Sequence, residues 1–223
     1  VNSGEYKVMG LAPYGEPIYK DLIYEHLIDV KDDGSFKMNM DYFNYNVGLT
    51  MTNSKFNKIF GGPPRKPESD LTQKEMDLAR SVQEVTEEIV LKMAKHIQNE
   101  TKMKYLCLAG GVSLNCVSNG KLLRSGIFDD IYIQPAAGDA GGSLGAALAL
   151  WHIEQNNPRK VDRNDSMQGS YLGPEYSQKE IEEELDKAGA KYEVLKDQEL
   201  FDKTATDLSK EQAVGWFQGR MEF

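Results

Sequence analysis

Two stretches decide the fold, YLCLAGGVSLNCVSNGKLLRS at residues 105–125 and DIYIQPAAGDAGGSLGAALALWHI at residues 130–153. Each begins with a short apolar run that predicts a strand, passes through a glycine-rich turn, and continues in a pattern that predicts a helix. Successive units of this kind form neighbouring parallel strands, so both turns are expected at one edge of the sheet. The sequence therefore predicts an α/β fold with a ligand site at that carboxyl edge, facing backbone N–H groups and helix N-termini.

Composition places the chain among ordinary globular proteins. It has 223 residues, 40% of them hydrophobic, and a formal net charge of -9 that is spread along the sequence. This distribution predicts a solvated surface and argues against a nucleic-acid partner. No apolar run approaches the roughly 20 residues that a membrane span needs. The first residues do not resemble a signal peptide, so the cytoplasm is the expected location.

The two cysteines do not form a metal or redox motif. Cys107 lies in an apolar run and Cys116 follows a glycine turn, without CxxC spacing. Both are predicted to be buried thiols in a reducing compartment. His26, His96 and His152 never pair at a spacing of three or four residues, so no histidine metal pair is expected within this sequence.

A first domain is predicted over residues 1–160. Its opening part, to about Pro67, looks packed but irregular, with many aromatic residues and a Gly-Gly-Pro-Pro breaker. A long helix is expected next, capped by Ser69 or Asp70 and ending near Thr101. Its apolar positions at a period near 3.6 are Leu71, Ala79, Val82, Ile89 and Met93.

The start of a second domain is predicted over residues 161–223, after a polar and broken stretch. Ser177 is expected to cap a helix that runs through Lys187, and a second helix is expected over residues 197–209. KYEVL at 191–195 and AVGWFQG at 213–219 are predicted strands. Both ends of the sequence look cut, and we expect a fragment of a longer protein.

The first glycine turn offers backbone and side-chain groups for a ligand. Gly110 and Gly111 allow a close approach to the backbone, and Val112 and Ser113 follow at the start of the helical segment. Asn115 has a carboxamide that can bind both a ribose and a base edge. The alternative is that Ser113 or Asn115 only caps its helix, which is equally common for these residue types.

The second glycine turn sets one acid between glycines. Gly138, Asp139 and Gly141 stand at the predicted mouth of the same sheet edge, where a carboxylate can hold a divalent cation. Taken alone, an N-cap for the helix that begins near Ser143 is the more common use of such an aspartate. The presence of both turns at one edge favours a ligand site.

A third glycine-rich stretch, GEYKVMGLAPYG, occupies residues 4–15. Its Lys7 suits a phosphate as a point charge. The stretch is not a Walker motif because no GK[ST] follows it.

Three motifs together, GEYKVMGLAPYG, LAGGVSLNCVSNGKL and IQPAAGDAGGSLGAAL, resemble the O-carbamoyltransferases related to nodulation protein U and to the antibiotic carbamoyltransferases. The resemblance extends over essentially the whole chain, since GWFQGRMEF at the end is similar to the start of a further family motif. It implies an actin/Hsp70/sugar-kinase-like (Kae1-like) half domain at 1–160, followed by the start of a YrdC-like domain at 161–223.

The resemblance also implies a chemistry. Carbamoyl phosphate is cleaved in the YrdC-like domain, the carbamate reacts with ATP to form carbamoyl adenylate, and the carbamoyl group passes to a hydroxyl of a small molecule. Asn115, Gly110 and Gly111 are then expected at the nucleotide, and Asp139 at an iron-type divalent metal. Lys7 and Gly15 match positions near the nucleotide, although the loop here is shorter, and Arg220 matches the carbamoyl phosphate site.

Departures from the family pattern bear on activity. The histidine pair that binds the family's metal and the arginines after GRMEF do not occur in this sequence, so the fragment alone is expected to be inactive. One alternative is a Kae1-like or hydrogenase-maturation carbamoyltransferase acting on a macromolecule, against which the GRMEF ending argues. Another is a non-catalytic ATP-binding module. The acceptor and the oligomeric state are left open.

Overall fold

The computed structural model describes residues 4–161, 164 and 167–222. It divides the chain into two units, Val1–Ala147 and Leu148–Phe223. The strands are β1 (Ile28–Val30), β2 (Phe36–Met38), β3 (Tyr105–Leu108) and β4 (Asp130–Ile133). The helices are α1 (Glu5–Leu11), α2 (Lys20–Leu22), α3 (Ser54–Ile59), α4 (Gln73–Thr101), α5 (Cys116–Arg124), α6 (Gly142–Ala149), α7 (Gln178–Lys187) and α8 (Asp197–Ser209).

Helix α4 is the long helix that the sequence predicts, and it ends at Thr101 as expected. Its start differs, because Thr72 is the N-cap and forms a capping box with Glu75, whose carboxylate accepts from the Thr72 N–H at 2.8 Å. The predicted caps Ser69 and Asp70 are therefore wrong. The helix ends where Lys102 adopts the left-handed conformation, with a φ of 54°.

The opening part of the chain packs on one side of α4. It is more regular than predicted, since it contains α1, α2, α3 and the antiparallel hairpin of β1 and β2, in which Ile28 pairs with Met38. Val85 and Ile89 of α4 are buried here in a shared hydrophobic cluster. The other buried members of this cluster are Ile23, Leu27, Ile28 and Phe60.

Strands β3 and β4 are parallel, as the sequence predicts, with Leu108 paired to Ile133 at the carboxyl end. One face of this two-stranded sheet packs on α4 and α5 through a second cluster with Ala94, Leu122 and Phe128 at its centre. These clusters lie on different sides of α4, which joins the opening part of the chain to the sheet.

Cys107 lies on the opposite face of the sheet, and the prediction that it is buried is wrong. Successive side chains of a strand point to opposite faces, and Cys107 shares the exposed face with Tyr105 and Tyr132. The apolar character of the strand therefore did not imply burial of the thiol. Cys116 is also exposed, because it is the first residue of α5 at the sheet edge.

In the second unit, the two predicted helices are confirmed and the two predicted strands are wrong. Helix α7 is capped by Ser177, which forms a capping box with Glu180, and α8 covers the predicted range. Residues 191–195 and 213–219 form no strand. A strand needs a partner for its backbone N–H and C=O groups, and no ladder engages either segment within the described part of the chain. Both segments are therefore largely exposed coil.

The mixed α/β class is confirmed by these elements. The predicted domain boundary at residue 160 stays a prediction. No helix among the described residues is both long enough and apolar enough to span a membrane.

Candidate functional site

The two glycine turns lie side by side at the carboxyl edge of the sheet, as predicted from sequence. The ladder continues past the strands, where the Gln134 N–H donates to the Leu108 carbonyl at 3.1 Å. Beyond it, the Gly110 N–H donates to the Ala137 carbonyl at 2.8 Å. The turns after β3 and β4 are thus joined directly by a backbone hydrogen bond.

The first turn depends on glycine at one position and leaves space at the next. Gly110 has a φ of 100°, which a residue with a side chain rarely adopts. A Cβ built on Gly111 would meet no atom within 4 Å, so the backbone there is open. The Ser113 hydroxyl donates to the Gly110 carbonyl at 2.6 Å and stabilises the turn. Val112 is 62% exposed and contributes no core packing.

Backbone N–H groups at this edge remain available to a ligand. Those of Gly111 and Val112 in the first turn, and of Asp139 and Ala140 in the second, have no acceptor within the described part of the chain. All four residues are exposed. Unpaired N–H groups in exposed turns of this kind are typical ligands for an anion such as phosphate.

Asn115 both caps α5 and contacts α4. Its Oδ1 accepts from the Ser118 N–H at 3.0 Å, which confirms the capping interpretation. It also forms a pair of hydrogen bonds with Gln83, because Asn115 Nδ2 donates to Gln83 Oε1 at 2.8 Å and Gln83 Nε2 donates to Asn115 Oδ1 at 3.1 Å. The cap therefore accounts for only part of what this side chain does.

Two further residues near this turn, Gln83 and Glu87 one turn later on α4, were not predicted from the sequence. Gln83 and Glu87 are 4% and 3% exposed, whereas the predicted core residue Val82 is 42% exposed. Gln83 Nε2 donates to Glu87 Oε1 at 2.8 Å, and Lys121 of α5 forms an ion pair with the same carboxylate. The available signal was a glutamine and a glutamate four residues apart in a predicted helix, a spacing that places them on one face.

The second turn presents a free carboxylate. Asp139 opens a short 3₁₀ segment, Asp139–Gly141, and its exposed side chain forms no hydrogen bond with the described residues. It thus makes no capping bond to the helix that follows. Gly141 is required by packing, since a Cβ there would lie 2.1 Å from the Ala136 carbonyl oxygen. Gly138 has open space around it.

A metal at this edge would find one candidate ligand, Asp139, among the residues that the structure describes. The Asp139 carboxylate has the right chemistry for a divalent cation and is not engaged elsewhere. Within the residues described, no group of three or more His, Cys, Asp and Glu side chains could enclose an ion. These residues therefore fit a metal only as a partial site.

The third glycine-rich stretch lies beside the first turn. Met9 of α1 contacts Cys116 at the start of α5, with 3.8 Å between the sulfur atoms. Lys7 lies on the same helix, exposed, with its amine 5.8 Å from the centre of the Tyr6 ring. Gly15 lies against α4 instead, where a Cβ would fall 2.0 Å from the backbone oxygen of Met76, so its packing explains why glycine is present.

Arg220 lies in the second unit, where its guanidinium is already engaged. It donates to the Gly173 carbonyl and to Glu175 Oε2, each at 2.8 Å. Its expected role at carbamoyl phosphate stays a prediction.

Two joined glycine turns with open N–H groups and a free carboxylate form a candidate site at the carboxyl edge of the sheet in this α/β fold. Residues 1–148 match the family model for the carbamoyltransferase N-terminus. The chain belongs to this family.

Curated relatives agree with that assignment. An uncharacterized protein of Synechocystis sp. is 58% identical over 100% of this chain and 37% of its own length. Nodulation protein NolNO of Sinorhizobium fredii is 39% identical over 98% of this chain and 30% of its length. Nodulation protein NolO of Bradyrhizobium diazoefficiens is 36% identical, over 98% of this chain and 37% of its length. The chain spans about a third of the length of these relatives.

Proposed function

We propose that the intact protein is an ATP-dependent O-carbamoyltransferase and that this chain supplies the nucleotide-binding part of its active site. Membership of the carbamoyltransferase family supports the reaction class. The observation that carries the nucleotide assignment is the Gly110 to Ala137 hydrogen bond, which brings the unpaired N–H groups of two turns to one sheet edge. Phosphate oxygens are the ligands that such groups bind best.

The proposed reaction has three balanced steps. Water cleaves carbamoyl phosphate to carbamate and inorganic phosphate. A carbamate oxygen attacks the α-phosphorus of ATP, which forms carbamoyl adenylate and releases pyrophosphate. The hydroxyl of a small-molecule acceptor then attacks the carbamoyl carbon, loses its proton, and expels AMP. Cleavage belongs to a YrdC-like domain, and Arg220 is assigned to carbamoyl phosphate there.

Each predicted residue has a role in this proposal. Gly110 shapes the first turn, and Gly111 and Val112 donate their N–H groups to phosphate oxygens. Ser113 holds the turn, and Asn115 contacts the nucleoside. Gly138 and Gly141 shape the second turn. In a Kae1-like fold, Lys7 on α1 offers its amine to a phosphate, and Gly15 lets the segment after α1 pack against α4.

Asp139 would hold an iron-type divalent metal together with ligands beyond those in the described residues. Such an ion offsets the negative charge that builds on phosphate oxygens during transfer. The chain's own contribution is an exposed carboxylate held at the mouth of the second turn.

Isotope exchange tests the central step without knowledge of the acceptor. Intact protein is incubated with ATP, labelled pyrophosphate and carbamoyl phosphate, and label entering ATP is measured. We expect exchange that depends on carbamoyl phosphate, because formation of the adenylate is reversible. Omission of carbamoyl phosphate is the control. Release of ADP without exchange would contradict the adenylate intermediate and leave carbamoyl transfer by another route.

A further inference from the structure

The carboxamide of Asn115 is held in one orientation by the α4 side chains behind it. Rotation by 180° would exchange its oxygen and nitrogen, so the neighbouring groups decide which atom faces which partner. At one end, the Ser118 backbone N–H can only donate, and it lies 3.0 Å from Asn115 Oδ1. This contact assigns the oxygen of Asn115 to the start of α5.

The orientation of the Gln83 carboxamide is determined in the same way, by Glu87 at the other end of this series of hydrogen bonds. An ionised carboxylate can only accept, so Glu87 requires the nitrogen of Gln83 to face it, at 2.8 Å. Gln83 Oε1 then faces Asn115 Nδ2 at 2.8 Å. Glu87 is 3% exposed and its other oxygen pairs with the Lys121 amine. Both amide orientations therefore follow from groups of fixed polarity.

The Asn115 carboxamide has one hydrogen-bonding position left for a ligand. A carboxamide oxygen accepts two bonds, and Oδ1 already receives the Ser118 N–H and Gln83 Nε2. The nitrogen has two protons, of which one goes to Gln83. The second has no acceptor among the residues that the structure describes. Asn115 itself is half-buried, at the exposed edge that the first turn forms.

We propose that Gln83 is a positioning residue that presents Asn115 to the ligand as a hydrogen-bond donor only. The atom that Asn115 meets is then an acceptor, such as an unprotonated ring nitrogen of the base or a ribose oxygen. An amino group in that position has no acceptor on Asn115. This inference rests on the proposed function, because it takes the ligand to be a nucleotide.

Binding of ATP to the intact protein, measured by calorimetry alongside thermal melting, tests both parts. Asn115→Asp keeps an N-cap residue but removes the donor protons, and Gln83→Leu removes the support. Ser81→Ala is the matched control on α4, since Ser81 is fully buried and hydrogen-bonded to Tyr19 and Asp77, and not to Asn115.

We expect Asn115→Asp and Gln83→Leu each to raise the Kd for ATP by about tenfold, the size expected for one lost hydrogen bond. Ser81→Ala should leave the Kd unchanged although it lowers the melting temperature. If Gln83→Leu does not fold, Glu87→Gln tests the same link, because a glutamine can also donate and no longer defines the orientation of Gln83.

The outcomes separate the two claims. Unchanged ATP binding by Asn115→Asp overturns the donor assignment. Weaker binding by Asn115→Asp but not by Gln83→Leu or Glu87→Gln overturns the positioning role and leaves the proposed function standing. Equal weakening by Ser81→Ala shows a structural effect and overturns the inference. Absence of ATP binding in the unsubstituted protein overturns the proposed function and this inference together.

Discussion

Adjacent glycines in the first turn have different physical reasons to be glycine. Gly110 has a φ of 100°, whereas Gly111 begins a 3₁₀ segment with open space where a Cβ would lie. The same substitution at the two positions therefore separates folding from binding.

Gly110→Ala should lower the free energy of unfolding by about 1–3 kcal/mol, because alanine is strained at that φ. Gly111→Ala should change it by less than about 0.5 kcal/mol, as for an exposed site, yet weaken ATP binding by placing a methyl group at the open edge. Denaturant unfolding and calorimetry measure the two effects. Tight ATP binding by a stable Gly111→Ala protein would contradict close approach of a ligand at this turn.

Asp139→Ala separates the two interpretations of this carboxylate. Since the side chain makes no hydrogen bond with described residues, the substitution should cost less than about 0.5 kcal/mol of stability. If the carboxylate holds a metal at the phosphates, carbamoyl transfer by the intact protein should fall by about a hundredfold or more. Thermal melting and product formation on one preparation measure both. Normal turnover by the Asp139→Ala protein would contradict a role of this carboxylate in metal binding.

At the scale of elements, α4 organises the first unit because three of its surfaces carry different partners. Val85 and Ile89 pack on the opening part of the chain, Ala94 packs on the sheet, and Gln83 and Glu87 face α5. Glu88 adds a contact with Lys20 and accepts from the Tyr24 hydroxyl at 2.7 Å.

The capping box should make stability depend on pH. Hydrogen bonds from the Thr72 hydroxyl and N–H hold the pKa of Glu75 below its usual value of 4.5. A lowered folded-state pKa means that the ionised group stabilises the protein above pH 4.5, and that this contribution is lost as pH falls through the lower folded-state value.

Glu75→Gln should therefore cost about 1 kcal/mol near neutral pH, as for loss of a cap interaction, and the difference should shrink in acid. Urea unfolding at several pH values measures it. Glu100→Gln, near the other end of α4, is the control. A cost for Glu75→Gln that persists unchanged in acid would show that the ionised carboxylate is not the stabilising group.

At the scale of the molecule, the buried hydrophobic clusters both belong to the first unit. Arg159 and Lys160 follow it in exposed coil. Limited trypsin digestion should cut there first, and the fragment that contains residues 1–147 should melt cooperatively, because its clusters are intact. Mass spectrometry and circular dichroism check this. First cleavage within α4, or a broad and featureless melt, would contradict it.

Local patterns were sufficient to predict the elements that stabilise themselves or pair with near neighbours. The β3 and β4 runs, α7 with its Ser177 cap and the range of α8 were all predicted. Prediction failed where a partner elsewhere in the chain decides the outcome, as for residues 191–195 and 213–219, which have strand-like sequences but no ladder in the described structure.

The sequence by itself determined the class of fold, the two glycine turns and their common edge, because strand, turn and crossover signals are local and parallel connections follow one hand. It also determined the family through its motifs. Tertiary structure alone decided that Gly15 packs on Met76, that Cys107 is exposed, and that Gln83 forms a pair of hydrogen bonds with Asn115. The physical reason is that these outcomes depend on packing between residues far apart in sequence. That packing exists only after α4 has packed against the opening part of the chain and against the sheet.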